Sequence, residues 1–305
     1  MSDPAPAQKT KASIFGARLF STLLLWAIVT VIFLSGSAWL FLALLTLLGM
    51  LGVREYFQMT REGNVPSLPG WGMSISLLYL LGLGWILGSD GHDGLESLHA
   101  IDAACIILTV MGGFVLQMRH AVEGTKTLTG VAVTSLGVIY IAVMFSFMSR
   151  LLFVPVGDGG VPGAWLVIWL TAVTKFTDMG AYITGSLIGK HKMIPHISPK
   201  KTWQGFAGGL LFAQLAGCGL FALMPGKLSV LGSWGWVVGL GLLLALVAVI
   251  GDLAESVIKR SMGIKDSGKA LPGIGGALDL IDSLCFTAPV LYFALRWLPV
   301  CSTCY

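Results

Sequence analysis

From about residue 18 to residue 298 the chain is a succession of apolar stretches, each close to 20 residues long, with short polar connections between them. A helix that crosses a bilayer needs about 20 such residues. The stretches predict nine spans, at 18–36, 38–56, 71–89, 99–118, 130–149, 163–185, 206–225, 230–251 and 277–298. The expected fold is an all-α polytopic membrane protein. Composition agrees: 55% of residues are hydrophobic and 11% charged, where a soluble domain carries roughly 25% charge. The 40 glycines also suit membrane helices. Disorder, a disulfide-built secreted module and an ordinary soluble enzyme are excluded.

The first stretch follows Lys9, Lys11 and Arg18 and precedes the small residues Ser35 to Ala38. That resembles a signal peptide, but the next apolar run resumes at once, so a retained anchor is expected. Residues 1–12 read as a disordered polar tail. Nine spans leave about 125 residues for connections and tails, too few in any one gap for a soluble domain. Any chemistry must use the helices and short loops. Residues 1–150 are read as an N-terminal transmembrane region and 151–305 as a catalytic transmembrane region. Cys105, Cys218 and Cys285 lie in apolar runs as small core residues, and Cys301 and Cys304 form an unaccompanied C-x-x-C at the tail.

Basic residues set orientation. With the N-terminus inside, cytoplasmic segments hold 15 of the 19 Lys and Arg residues, and the outer loop 90–98 carries Asp90, Asp93 and Glu96 without a Lys or Arg. The expected location is the inner (cytoplasmic) membrane of a cell, with the most basic loops facing the cytoplasm.

Three stretches break the apolar pattern. In the first, Thr174 to Lys192, Asp178 lies inside a span three residues after Lys175. Ionisable groups at membrane depth are costly and mark function or a helix-holding pair. Gly180, Gly185 and Gly189 suit close helix packing. The second, I-S-P-K-K-T-W-Q-G from Ile197 to Gly205, offers the hydroxyls of Ser198 and Thr202 and the charges of Lys200 and Lys201, a set suited to phosphate oxygens. It lacks the spacing of a nucleotide P-loop, and anchoring to anionic lipid would also account for its lysines.

The third runs from Gly251 to Asp282. Asp252, Glu255, Ser256 and Lys259 fall on one helical face, and Asp279 and Asp282 are spaced i, i+3 at the start of the last span. Bare carboxylates gathered there would repel one another. Oxygen ligands of this kind suit a hard cation, Mg²⁺ above all, which bridges carboxylates and substrate phosphates. Lys259, Arg260, Lys265 and Lys269 would attract a polyphosphate, and Gly273, Gly275 and Gly276 would allow close backbone approach.

These residues carry a resemblance. The third stretch resembles the C-terminal motif of phosphatidate cytidylyltransferases, S-x-x-K-R, four residues, K-D, then P-x-H-G-G-x-x-D-R-x-D. Ser256, Lys259, Arg260, Lys265, Asp266, Pro272, Gly275, Gly276, Asp279 and Asp282 fall in register with it. The second stretch is similar to that family's S-P-x-K-T-x-E-G through Ser198, Pro199, Lys201, Thr202 and Gly205. The first is similar to D-x-x-A-Y-x-x-G-x-x-x-G-K through Asp178, Ala181, Tyr182, Gly185, Gly189 and Lys190. R-E-Y at 54–56 is similar to the family's L-x-x-E-Y. Three positions depart: Ile274 replaces His, Leu280 replaces Arg and Gln204 replaces Glu.

The resemblance implies a reaction of CTP with phosphatidic acid that yields CDP-diacylglycerol and pyrophosphate. Both reactants are negative, so charge neutralisation and alignment are the main tasks. The residues expected to act are Asp252 and Asp279 as first-choice Mg²⁺ ligands and Asp282 and Glu255 as further acids of the metal centre. Lys201, Ser198, Thr202, Lys259, Arg260, Lys265, Gly275 and Gly276 are expected on substrate phosphate, and Asp178 on the metal or a substrate hydroxyl. A second cation suits in-line displacement. The expected partners are CTP, phosphatidic acid and membrane lipid, with no nucleic acid, and a homodimer is compatible with the reading. Two rivals stand beside it: an anion transporter, against which the acids lie at helix ends and no inverted repeat is visible, and another CTP-dependent lipid enzyme, a lipid kinase or an ether-lipid cytidylyltransferase, distinguished by its products.

Overall fold

Inside a bilayer each backbone N–H and C=O must be satisfied within its own segment, and the apolar runs accordingly form helices. The structure is a computed structural model and describes residues 27–119, 121–155, 161, 163–265, 268 and 275–297. Helix α1 covers residues 27–35. It is followed by α2 (Ala38–Glu62), α3 (Pro69–Asp90) and α4 (Gly94–Gln117). Helix α5 (Thr125–Gly137) runs through a π-helical segment (Val138–Val143) towards the short α6 (Phe147–Leu151). Then come α7 (Ala164–Ile188), α8 (Trp203–Leu223), α9 (Trp234–Ser261) and α10 (Ala277–Trp297).

Among the described residues seven helical segments are long and apolar enough to cross a membrane: α2, α3, α4, the stretch Thr125–Leu151, α8, α9 and α10. The chain is an all-α polytopic membrane protein. Two of the nine expected spans stand apart. The stretch 18–36 is described only from residue 27. The stretch 163–185 is the 25-residue α7, whose apolar run is interrupted by Thr171, Thr174, Lys175, Thr177 and Asp178. The polar tail, Lys269, Asp266, Pro272, Gly273, Ile274, Cys301 and Cys304 lie outside the described residues. Cys105 and Cys285 are buried and Cys218 half-buried, as small core residues.

Small residues set the helix contacts. Helices α7 and α8 cross so closely that a Cβ on Gly208 would run into the Thr184 side chain. Lipid offers no hydrophobic drive for helix association, so close backbone approach supplies the dispersion contacts instead.

A polar knot ties the N-terminal helices together. Arg150, 1% exposed, donates from Nη2 to Asp102 Oδ1 and to Tyr79 Oη at 3.1 Å. Tyr79 Oη donates in turn to Asp102 Oδ1 at 2.8 Å, and the guanidinium lies 4.4 Å from the Phe147 ring centroid. The knot joins α3, α4 and α6. Phe147 also packs on Tyr292 and Phe293, about 15 residues and so roughly 22 Å along α10 from its first turn. Sequence patterning read these stretches as plain spans and did not single out Arg150 or Asp102. Asp102→Leu leaves a buried guanidinium without its counter-ion and is expected to lower the melting temperature in detergent by roughly 5–10 °C. Asp102→Leu with Arg150→Met should recover most of the loss, as a thermal-unfolding series will check.

Candidate active site

The connection between α7 and α8 was expected as a polar loop. It contains a short antiparallel hairpin, β1 (Lys192–Ile194) and β2 (Ser198–Thr202), with Lys192 opposite Thr202 and Ile194 opposite Ser198. Two side chains seat it. Thr202 Oγ1 accepts from the Gly205 N–H at 3.1 Å and caps α8. Gln204 Oε1 accepts from the Lys190 and His191 N–H groups at 3.1 and 3.2 Å, while its amide nitrogen lies 2.8 Å from His191 Nδ1. A carboxylate could accept those two bonds but could not donate to a neutral imidazole nitrogen. Gln204 thus serves the hairpin where the related motif has Glu.

The hairpin carries Lys201 to α9. Its Nζ lies 2.8 Å from Asp252 Oδ2 and 3.5 Å from the Val249 carbonyl oxygen. Around this pair is a cleft of about 230 Å³ whose polar lining comes from Asp178, Ser198, Lys200, Lys201, Thr202 and Asp252. Its apolar wall includes Tyr182, Met193, Phe206 and Val249. Asp178 sits at the α7 side, 3.6 Å from Lys175.

Helix α9 meets α10 at Gly251, where a Cβ would fall 2.9 Å from Ser283 Cα and 3.2 Å from the Asp282 carbonyl oxygen. No larger residue fits without separating the helices. The contact puts Asp252 and Glu255 beside Asp282, with one carboxylate oxygen of each lying within 4.8 Å of the others. Glu255 is 2% exposed. Its Oε2 takes Lys259 Nζ at 2.8 Å, but its Oε1 is buried without a partner among the described residues. An unsatisfied buried acceptor costs about 1–3 kcal/mol, more when charged. Three carboxylates at this spacing also repel. A divalent cation with hard oxygen ligands answers both demands, so the donor set fits one.

Asp279, expected as a metal ligand with Asp252, is tied to Lys259 and to the start of α10. Its Oδ1 takes Lys259 Nζ at 2.7 Å, and its Oδ2 accepts from the Gly276 N–H at 3.1 Å. The cause is its place in the first turn of α10, where free N–H groups and the helix dipole attract an acid. Lys259 therefore stands between Glu255 and Asp279. A second acid serves the same helix start: Glu55 Oε2, on α2, accepts from the Leu278 N–H at 2.8 Å. Sequence reading noticed R-E-Y but gave Glu55 no role. The bond spans 223 residues, and no local pattern announces such a partner.

Ser198 lines the cleft. Gly275, at φ +121°, and Gly276 shape the start of α10. Arg260 is exposed and donates to the Ile264 carbonyl oxygen at 3.3 Å. Lys265 is also exposed, and neither lines the cleft. Leu280, where the related motif has Arg, packs half-buried against the apolar core.

The sequence profile of the cytidylyltransferase family matches residues 16–298. Among curated relatives, the phosphatidate cytidylyltransferase of Synechocystis sp. is 32% identical over 97% of this chain and 98% of its own. The phosphatidate cytidylyltransferase of Mycobacterium bovis is 37% identical over 56% of this chain, and that of Staphylococcus aureus 42% identical over 43%. These two alignments span about half of each relative's length, 53% and 47%. The family profile and the full-length cyanobacterial relative both run through the hairpin, α9 and α10, and the chain belongs to the cytidylyltransferase family.

Proposed function

We propose that this chain transfers the cytidylyl group of CTP to phosphatidic acid, giving CDP-diacylglycerol and pyrophosphate. The observation that carries the reading is the Lys201–Asp252 pair, which joins the basic hairpin lining the cleft to an acid group fit for a cation. A lipid phosphate oxygen attacks the α-phosphorus of CTP and pyrophosphate leaves in line. The attacking oxygen is largely ionised at neutral pH, so no general base is needed. A bound Mg²⁺ would neutralise phosphate charge and favour departure of pyrophosphate.

In this reading Asp252, Glu255 and Asp282 hold the cation. Asp279 lies behind Lys259 and orients it. Lys201 and Ser198 grip substrate phosphate from the hairpin, and the Thr202 hydroxyl, besides capping α8, retains its proton for a phosphate oxygen. Asp178, on the α7 side of the cleft, orients a substrate hydroxyl. Lys259 balances two carboxylates, and Arg260 and Lys265 draw the polyphosphate towards the site from the surface. Residues 151–305 supply the reacting groups, while residues 1–150 brace them through Glu55. The basic residues of 190–204 and 256–276 support a cytoplasmic position for this end of the bundle at the inner membrane, where CTP is available.

Purified protein given phosphatidic acid, CTP labelled in its cytidine, and Mg²⁺ should yield a labelled lipid together with pyrophosphate. Release of CDP with no labelled lipid would identify a lipid kinase instead and defeat the proposal.

Asp252→Asn should lower turnover at saturating Mg²⁺ by at least a hundredfold while the protein still inserts, since a metal ligand acts on transition-state charge. Asp279→Asn should cost less, because that carboxylate acts through Lys259. Steady-state rates of the two variants decide whether the cation belongs with Asp252 or with Asp279.

Cysteine reporters at the exposed Lys200 and Lys265, in a protein lacking its own accessible thiols, should resist an impermeant maleimide in intact cells and react after lysis. Labelling from outside would invert the topology.

A further inference from the structure

Among the described residues six buried side-chain nitrogen or oxygen atoms lack a hydrogen-bond partner. Three of them, Glu255 Oε1, Ser283 Oγ and Tyr140 Oη, belong to residues gathered at the meeting of α9 and α10. Buried hydroxyls are ordinarily satisfied, so this concentration calls for an explanation.

Tyr140 lies outside both halves of the proposed site in sequence. It is carried by the π-helical segment Val138–Val143, a distortion that recurs at functional sites because the extra residue re-aims the side chains of one turn. The ring meets Phe286 edge-on, with centroids 5.9 Å apart. Phe286 is one turn beyond Asp282, and its Cδ2 lies 3.3 Å from the position of a Cβ on Gly251. Tyr140 therefore packs against the contact that gathers the acids. Cys285, Asp282, Glu255 and Asp252 are the ionisable groups near enough to influence its phenol, and it is 4% exposed. Phe would fill the same space; only the hydroxyl needs a reason.

We propose that the Tyr140 hydroxyl is a positioning group for the cation, hydrogen-bonding the shell of a hydrated divalent ion held by Asp252, Glu255 and Asp282. The inference rests on the reading of that acid group as a metal centre. A phenol both donates and accepts, so it suits either an ion-bound water or the free oxygen of a ligating carboxylate. Mg²⁺ keeps several of its waters when bound by protein, and groups in the second layer around a metal orient its ligands. Ser283 Oγ, on the residue after Asp282, is likewise without a partner among the described residues.

The test is Tyr140→Phe in the full-length protein in detergent, with Mn²⁺ binding followed by electron paramagnetic resonance and Mg²⁺ binding by calorimetry. Losing a second-layer partner should raise the dissociation constant by about tenfold or more. Without cation the variant should melt at the wild-type temperature or above it, because an unsatisfied buried hydroxyl has been removed. The rise in melting temperature on adding Mn²⁺ should shrink. Unchanged affinity and an unchanged rise would overturn the inference and leave the metal reading intact. A lower melting temperature without cation, at unchanged affinity, would mean a structural role and overturn it also. If the wild-type protein binds neither ion, or if Asp252→Asn binds both as tightly as wild type, the metal reading fails and the inference with it.

Discussion

The site depends on one contact between backbones. At Gly251 the absence of a side chain lets α9 rest against the α10 backbone at Ser283. That contact brings Asp252 and Glu255 beside Asp282. Everything charged nearby answers to it. Lys201 comes from the hairpin to Asp252, and Lys259 bridges Glu255 and Asp279. These lysines offset part of the negative charge and leave Glu255 Oε1 unsatisfied.

Polar groups elsewhere follow the same economy of low-dielectric surroundings, in which a charge must be paired or hydrogen-bonded. Arg150 and Asp102 are joined through Tyr79. Glu55 receives a helix N–H, and at the exposed end of the bundle Gln204 receives the N–H groups of Lys190 and His191 beside the hairpin. These polar side chains form junctions between elements. The helices are held as much by these junctions as by glycine-mediated approach.

The helical architecture was legible because each span writes its own signal, about 20 apolar residues in a row. Where a helix carries polar residues, as α7 does with Lys175 and Asp178, the signal fades although the helix persists. The hairpin was not legible: strands of three and five residues are too short for an alternating pattern to stand out. At the site, the acids, Lys201 and Ser198 could be picked out by residue type and by resemblance. Their pairing could not. Asp279 and Asp282 share a spacing that puts both on one helical face, and only the height at which α9 touches α10 decides which joins Asp252. Tyr140 and Glu55 reach the site from distant helices, and a single Tyr in an apolar run carries no local mark.

The bond from Glu55 to the first turn of α10 bears on biosynthesis. The acceptor leaves the ribosome 223 residues before the donor. Throughout most of translation, α2 therefore carries a carboxylate whose hydrogen-bond donor on α10 has not been made. That chain is incomplete in a chemical sense as well as a topological one. Arrival of the last helix supplies the Leu278 N–H together with Asp282. A truncated chain that lost α10 would lack this tie between α2 and the helix that carries Asp282.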